Sequence, residues 1–116
     1  MINITFDPKN LELNMEGHAG AGEKGKDIVC ASASMLFYTL SKSLLKSKEM
    51  MKKHPIIKWD DGNGSIKCRP LKEYQGNITL MYWTVLNGLE LLAEEYPEYV
   101  SFKVIGAEKQ DAKVDG

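Results

Sequence analysis

Gly17-His18-Ala19 closes a strand-like run, and Cys30 follows within Asp27-Ile28-Val29-Cys30-Ala31, the opening of a strongly apolar helical segment. A glycine-studded loop, residues 19–26, joins the two. The spacing predicts a histidine at a strand end and a cysteine in the first turn of a helix. A thiol so placed feels the positive end of the helix dipole and unpaired backbone N–H groups, and both favour the thiolate. An imidazole nearby can take the thiol proton and later return it to a leaving group. The chemistry outlined is nucleophilic catalysis, with Cys30 as nucleophile and His18 as general base, then general acid. Helix-terminal N–H groups could also steady the oxyanion formed on a peptide carbonyl.

Each of these residues also has a plainer use. Cys30 alone reads as an inert core cysteine, and His18 as a polar strand-end residue. Asp27 as a helix N-cap would accept the N–H of Val29 or Cys30 and stabilise the helix by roughly 1 kcal/mol. Its charge would then oppose the thiolate, and a capped Cys30 N–H could not serve the oxyanion. Turned the other way, Asp27 would fix the His18 tautomer and favour the imidazolium. Both readings stay open. Ser34, one helical turn after Cys30, is either a small packing residue or a hydroxyl bonded near the thiol. His54 precedes Pro55 in an unpatterned connection and is set aside.

The loop AGAGEKGK is rich in glycine and precedes a helix, but it lacks the GK[ST] ending of a phosphate-binding loop and carries an acid in its place. Nucleotide or small-anion binding is the weaker alternative. The reading preferred is a lid over a peptide site, hinged at Gly20, Gly22 and Gly25. The order His18, Cys30, His54, Cys68 contains no paired ligand spacing, so no metal is expected, and no cofactor. Cys68 reads as a core strand residue beside Ile66.

The elements that must position these groups are legible as periodicities. Ile2, Ile4 and Phe6 alternate with polar residues, as do Leu11, Leu13 and Met15, with Asp7-Pro8-Lys9-Asn10 as a turn between them. Residues 27–48 read as a helix whose apolar groups lie nearly all round its first three turns, which predicts burial on several sides. Ile57 and Trp59, then Ile66 and Cys68, form a second hairpin around Asp61-Gly62-Asn63-Gly64. Asn77 is placed as the cap of a second helix running to about Glu95, stopped by Pro97. Val100, Phe102 and Val104 mark a last strand. The order ββαββαβ predicts a two-layer α+β domain, a mixed or antiparallel sheet packed against two helices. The domain spans residues 1–105, with 106–116 a frayed polar tail.

A chain of 116 residues is one domain, large enough to bury a core without metal or disulfide help. A formal net charge of −1 leaves no basic surplus for a dedicated nucleic-acid binder. Lys42, Lys46, Lys48, Lys52 and Lys53 read as cations favourable at a helix C-terminus, with RNA contact the minority reading. No apolar run is expected to approach the roughly 18 residues that span a membrane. The start MINITFDPKN lacks the features of a signal peptide. The expected compartment is the reducing cytoplasm, with both thiols free.

The run GHAGAGEKGKDIVCASAS also resembles the signature of the ribosomal-processing cysteine protease Prp family, at Gly17, His18, Ala19, Gly25, Asp27, Ile28, Val29, Cys30, Ala31 and Ser34. Leu89, Ala93, Glu94, Tyr96, Pro97 and Val100 fit the family's closing helix and strand less sharply. Ala33 departs from the pattern, where a larger apolar residue is expected, and residues 47–75 match nothing in it. The resemblance implies a cysteine endopeptidase with a Cys30–His18 dyad, supported by Asp27, Ser34 and Gly17. It implies removal of a short N-terminal extension from a large-subunit ribosomal protein in Gram-positive-type bacteria, after a hydrophobic or aromatic pair. Relatives in phage genomes associated with capsid maturation make a phage structural protein a second substrate. A homodimer is implied too, for which exposed sheet edges and aromatic residues on alternate strand faces leave room. Trp59 and Trp83 are assigned to core or dimer packing, or else to an apolar substrate groove. The rival from another class is a non-catalytic ribosome-associated or peptide-binding assembly protein.

Overall fold

The computed structural model describes residues 1–20, 22 and 27–106. Gly25 and the tail beyond Gly106, both singled out above, lie outside the described residues. Strands β1 (Ile2–Asp7) and β2 (Glu12–Glu16) pair antiparallel, with Ile4 opposite Met15 and Phe6 opposite Leu13. The Asp7 carboxylate closes the turn by accepting the Lys9 N–H at 3.0 Å and the Asn10 side-chain amide at 2.7 Å.

Helix α1 (Ile28–Lys46) follows, then β3 (Ile56–Asp60), β4 (Asn63–Lys67), α2 (Gln75–Glu95) and β5 (Val100–Val104). The sheet order is β3-β4-β2-β1-β5, with β5 parallel to β1 and the other neighbours antiparallel. The fold is therefore α+β with a mixed, open sheet, in the element order that the periodicities predict. Ile4, Phe6, Leu13, Met15 and Ile66 point from one sheet face into the core under the helices. Asn3, Thr5, Asn14, Ser65 and Lys67 alternate with them and give the other face a polar surface.

Several expectations need correction. Of the strand aromatics expected on alternate faces, Phe6 is buried, and Trp59 and Phe102 are partly buried and pack against the core. Burial of α1 is one-sided. Val29, Ala33, Phe37, Leu40 and Leu44 are buried, whereas Ile28, Met35 and Tyr38 on the opposite stripe are exposed. The sheet lies below the helix and α2 beside it, and on the exposed stripe Tyr38 still meets the Trp59 ring at 5.3 Å between centres. The same helix, 19 residues with mean hydropathy 1.4, is long and apolar enough to cross a membrane, contrary to expectation. Its buried stripe is what it gives to the core of this domain. Helix α2 starts at Gln75 without a side-chain cap, so Asn77 lies inside the helix. A preceding 3₁₀ turn, Lys72–Tyr74, already sets the chain on a helical path. Finally, Asp60 pairs with Asn63, which narrows the second hairpin's turn to Asp61-Gly62.

Candidate active site

The strand β2 ends at Glu16, and Gly17 then turns the chain at φ 98°. That backbone, and a Cβ that would collide with the Met1 carbonyl oxygen, restrict the position to glycine. His18 emerges from this turn with 63% of its side chain exposed. Cys30 lies at the third position of α1 and is half-buried. The two line one cavity of about 100 Å³, together with Gly17, Ser34, Trp59 and Gly62. Among the described residues no hydrogen bond joins the sulfur to the ring. The Cys30 sulfur instead accepts the Ala19 N–H at 3.2 Å.

Asp27 is the N-cap. Its Oδ1 accepts the N–H groups of Val29 and Cys30, each at 3.0 Å, and its carbonyl accepts that of Ala31 at 3.1 Å. These bonds show the carboxylate capping the helix, the first of the two tasks considered for it. They also occupy the N–H groups expected to receive an oxyanion. The expectation of an acidic thiol fails as well. Burial pushes the Cys30 thiol above the ordinary cysteine range, and hydrogen bonding to Asp27 and its negative charge push it further. The backbone N–H groups of Ala19 and Gly20 pull the other way but do not prevail. Burial first, and the capping carboxylate after it, outweigh the donors that favour the thiolate at this cysteine.

Ser34 shares the cavity, but among the described residues its hydroxyl makes no bond to the sulfur. Gly20 and Gly22 are exposed, and Gly20 has φ 69°. Trp59 lines the cavity and meets Phe37 at a tilt, with 4.8 Å between ring centres, whereas Trp83 packs edge-on against Phe6. Cys68 is buried and its sulfur accepts the Tyr82 hydroxyl at 3.5 Å, consistent with a core role. His54 is far from Cys30, near the opposite end of β4 beside Arg69. A larger cavity of about 250 Å³ also lies at that end, among Lys9, Lys52, Lys67 and Arg69. Its only thiol is the buried Cys68.

The β3–β4 turn was expected from the sequence, but not its place beside His18. Asn63 Oδ1 accepts the Gly17 N–H at 3.3 Å, Gly62 lies against the His18 ring, and Asp61 Oδ1 is 3.9 Å from His18 Nε2. Asp-Gly flanked by strand residues was the signal for a tight turn. Nothing local signals that the turn faces His18, because that follows from β4 pairing with β2.

Known proteins resemble this chain in sequence and fold. The family described as cysteine protease Prp matches residues 1–101. The ribosomal processing cysteine protease Prp of Staphylococcus aureus is 30% identical over 99 residues, covering 85% of this chain and 91% of its own. The crystal structure of the S. aureus protease with a covalently linked product peptide superimposes with a TM-score of 0.71 and 28% identity, over 90% of this chain and 99% of that one. A Streptococcus mutans protein matches with a TM-score of 0.63 and 27% identity, over 89% and 90%. These likenesses run through both strands of the first hairpin, through α1 and on to the last strand, and the chain belongs to the Prp family of cysteine proteases.

Proposed function

We propose that this cysteine peptidase is an endopeptidase in which Cys30 attacks and His18 carries the proton. The substrate proposed is a large-subunit ribosomal protein, from which it removes a short N-terminal extension. The observation that carries the reading is the shared cavity at the end of β2 and the start of α1. The S. aureus relative is named a ribosomal processing protease and has been solved with a substrate peptide, which supports the substrate class.

The mechanism follows from the groups present. Because the resting thiol is held protonated, His18 must accept its proton as the sulfur attacks the scissile carbonyl. An Sγ–C bond forms and the carbonyl oxygen becomes an oxyanion. The first helix-turn N–H groups serve the Asp27 carboxylate, so in this reading the oxyanion is received by the Ala19 and Gly20 N–H groups, which bond the resting sulfur and are released as it attacks. Collapse of the tetrahedral species breaks the C–N bond, and the imidazolium gives its proton to the leaving amine. Water, deprotonated by His18, then cleaves the thioester and returns the thiol. The chain acts in this reading as a cytoplasmic homodimer. Sedimentation equilibrium should give twice the 13.0 kDa chain mass.

Incubation with peptides spanning candidate extensions, read by mass, tests the proposal. One internal cleavage by the wild type is expected. Cys30→Ala should bind the peptide and leave it intact, and His18→Ala should lose about 10²–10⁴-fold in rate. Undiminished cleavage by Cys30→Ala would refute the assignment.

A further inference from the structure

The tip of the β3–β4 hairpin meets the site at His18. Residues 61 and 62 form a two-residue loop with φ 42° and 85°, the backbone of a type I′ turn. Strand β4 pairs with β2 so that Gly64 lies opposite Met15. Continuing both strands by two or three residues brings the turn against Gly17 and His18. The bond from the Gly17 N–H to Asn63 Oδ1 ties the two segments together at that level.

Two contacts there concern the ring itself. A Cβ on Gly62 would stand 2.7 Å from His18 Cε1 and 2.9 Å from Nε2, so the imidazole rests directly on the glycine backbone. Asp61 is the ion-pair partner of His18 among the described residues, Oδ1 to Nε2 at 3.9 Å, and its side chain is 93% exposed. At 3.9 Å this is a charge contact, not a hydrogen bond. An exposed carboxylate is free to rotate and close the remaining gap. Asp27, the other candidate for this task, spends Oδ1 on the start of α1.

We infer that Asp61 is a positioning residue for the reaction, holding the His18 ring with Nε2 toward its carboxylate over the Gly62 floor and leaving Nδ1 to face the thiol. A carboxylate beside Nε2 favours the tautomer with hydrogen on that nitrogen, which keeps the Nδ1 lone pair available to accept the Cys30 proton. The inference rests on His18 being the base, and His18→Ala serves as the separate control for that reading.

Asp61→Asn and Asp61→Gly both suit a positive φ, so either keeps the turn while removing the charge. Steady-state cleavage should show kcat reduced about two- to fivefold in both, the range an exposed charge pair supplies, with KM unchanged. Nitrogen-15 spectra of the neutral His18 ring should show the Nε2–H tautomer dominant in the wild type and depleted in both variants. A KM effect with unchanged kcat would assign Asp61 to substrate binding and overturn the inference. So would wild-type kcat with an unaltered tautomer ratio, provided His18→Ala is inactive. Full activity in His18→Ala would instead remove the reading beneath it.

Discussion

At the scale of single residues the governing conflict is between Asp27 and Cys30. One carboxylate caps α1 and, by the same proximity, opposes ionisation of the thiol three residues on. Asparagine caps helices about as well as aspartate but carries no charge. Asp27→Asn should therefore leave stability within a few tenths of a kcal/mol in urea unfolding. It should also speed iodoacetamide alkylation of Cys30 at neutral pH, because more of the thiol is then ionised. Equal alkylation rates would show that Asp27 does not act on the sulfur. In the wild type the thiolate is the reactive form and its formation is displaced upward. The Cys30 alkylation rate should consequently keep climbing past pH 9, the ordinary thiol value, without a plateau in the neutral range. Peptide mapping should find the label on Cys30 before Cys68, which is only 5% exposed and bonded to Tyr82. The Cys30 and His18 pairing was legible because both residues belong to one local motif, a strand end and a helix start joined by a short loop. Asp61, Gly62 and Asn63 were not, since more than forty positions separate them from His18 in the sequence and only strand pairing brings them near.

Elements explain which side chains the site can rely on. Helix α1 fixes Cys30 by burying one stripe, with Phe37 fully buried against Trp59 and close to the β4 backbone at Gly64. Phe37→Ala should cost about 3–5 kcal/mol, whereas Met35→Ala on the exposed stripe should stay within about 0.5 kcal/mol. Urea midpoints compare the two, and similar losses would mean that the exposed stripe is covered in solution. The hairpin tip offers a matching test. Gly62→Ala should lower stability by at least about 1 kcal/mol through its positive φ and displace the His18 ring as well. Its kcat should then fall further than that of Asp61→Asn; a smaller loss would mean that the ring does not rest on this backbone during turnover. The periodicity of α1 was plain from the sequence, but it was apolar on two stripes. Which stripe is buried depends on how many layers cover the helix, and amphipathic pattern alone carries no such count.

Over the whole molecule, the reactive groups gather at one end of the sheet and the cationic cavity of Lys9, Lys52, Lys67 and Arg69 at the other. The order of elements was readable from alternation and turn residues. The order of strands in the sheet was not, because β1 pairs with β5 across nearly the full chain length and β4 inserts between β2 and β3. Those two non-local pairings decide where the site is built, since β2, α1 and the β3–β4 turn converge only once they are made. At that convergence the sulfur and the imidazole act on one peptide. A peptide chloromethyl ketone carrying the residues before a cleaved bond tests it most directly, by mapping the alkylated residue and timing its formation. The adduct should form on Cys30 alone, about 10²-fold or more slowly in His18→Ala. An adduct on Cys68, or an unchanged rate without the His18 imidazole, would contradict it.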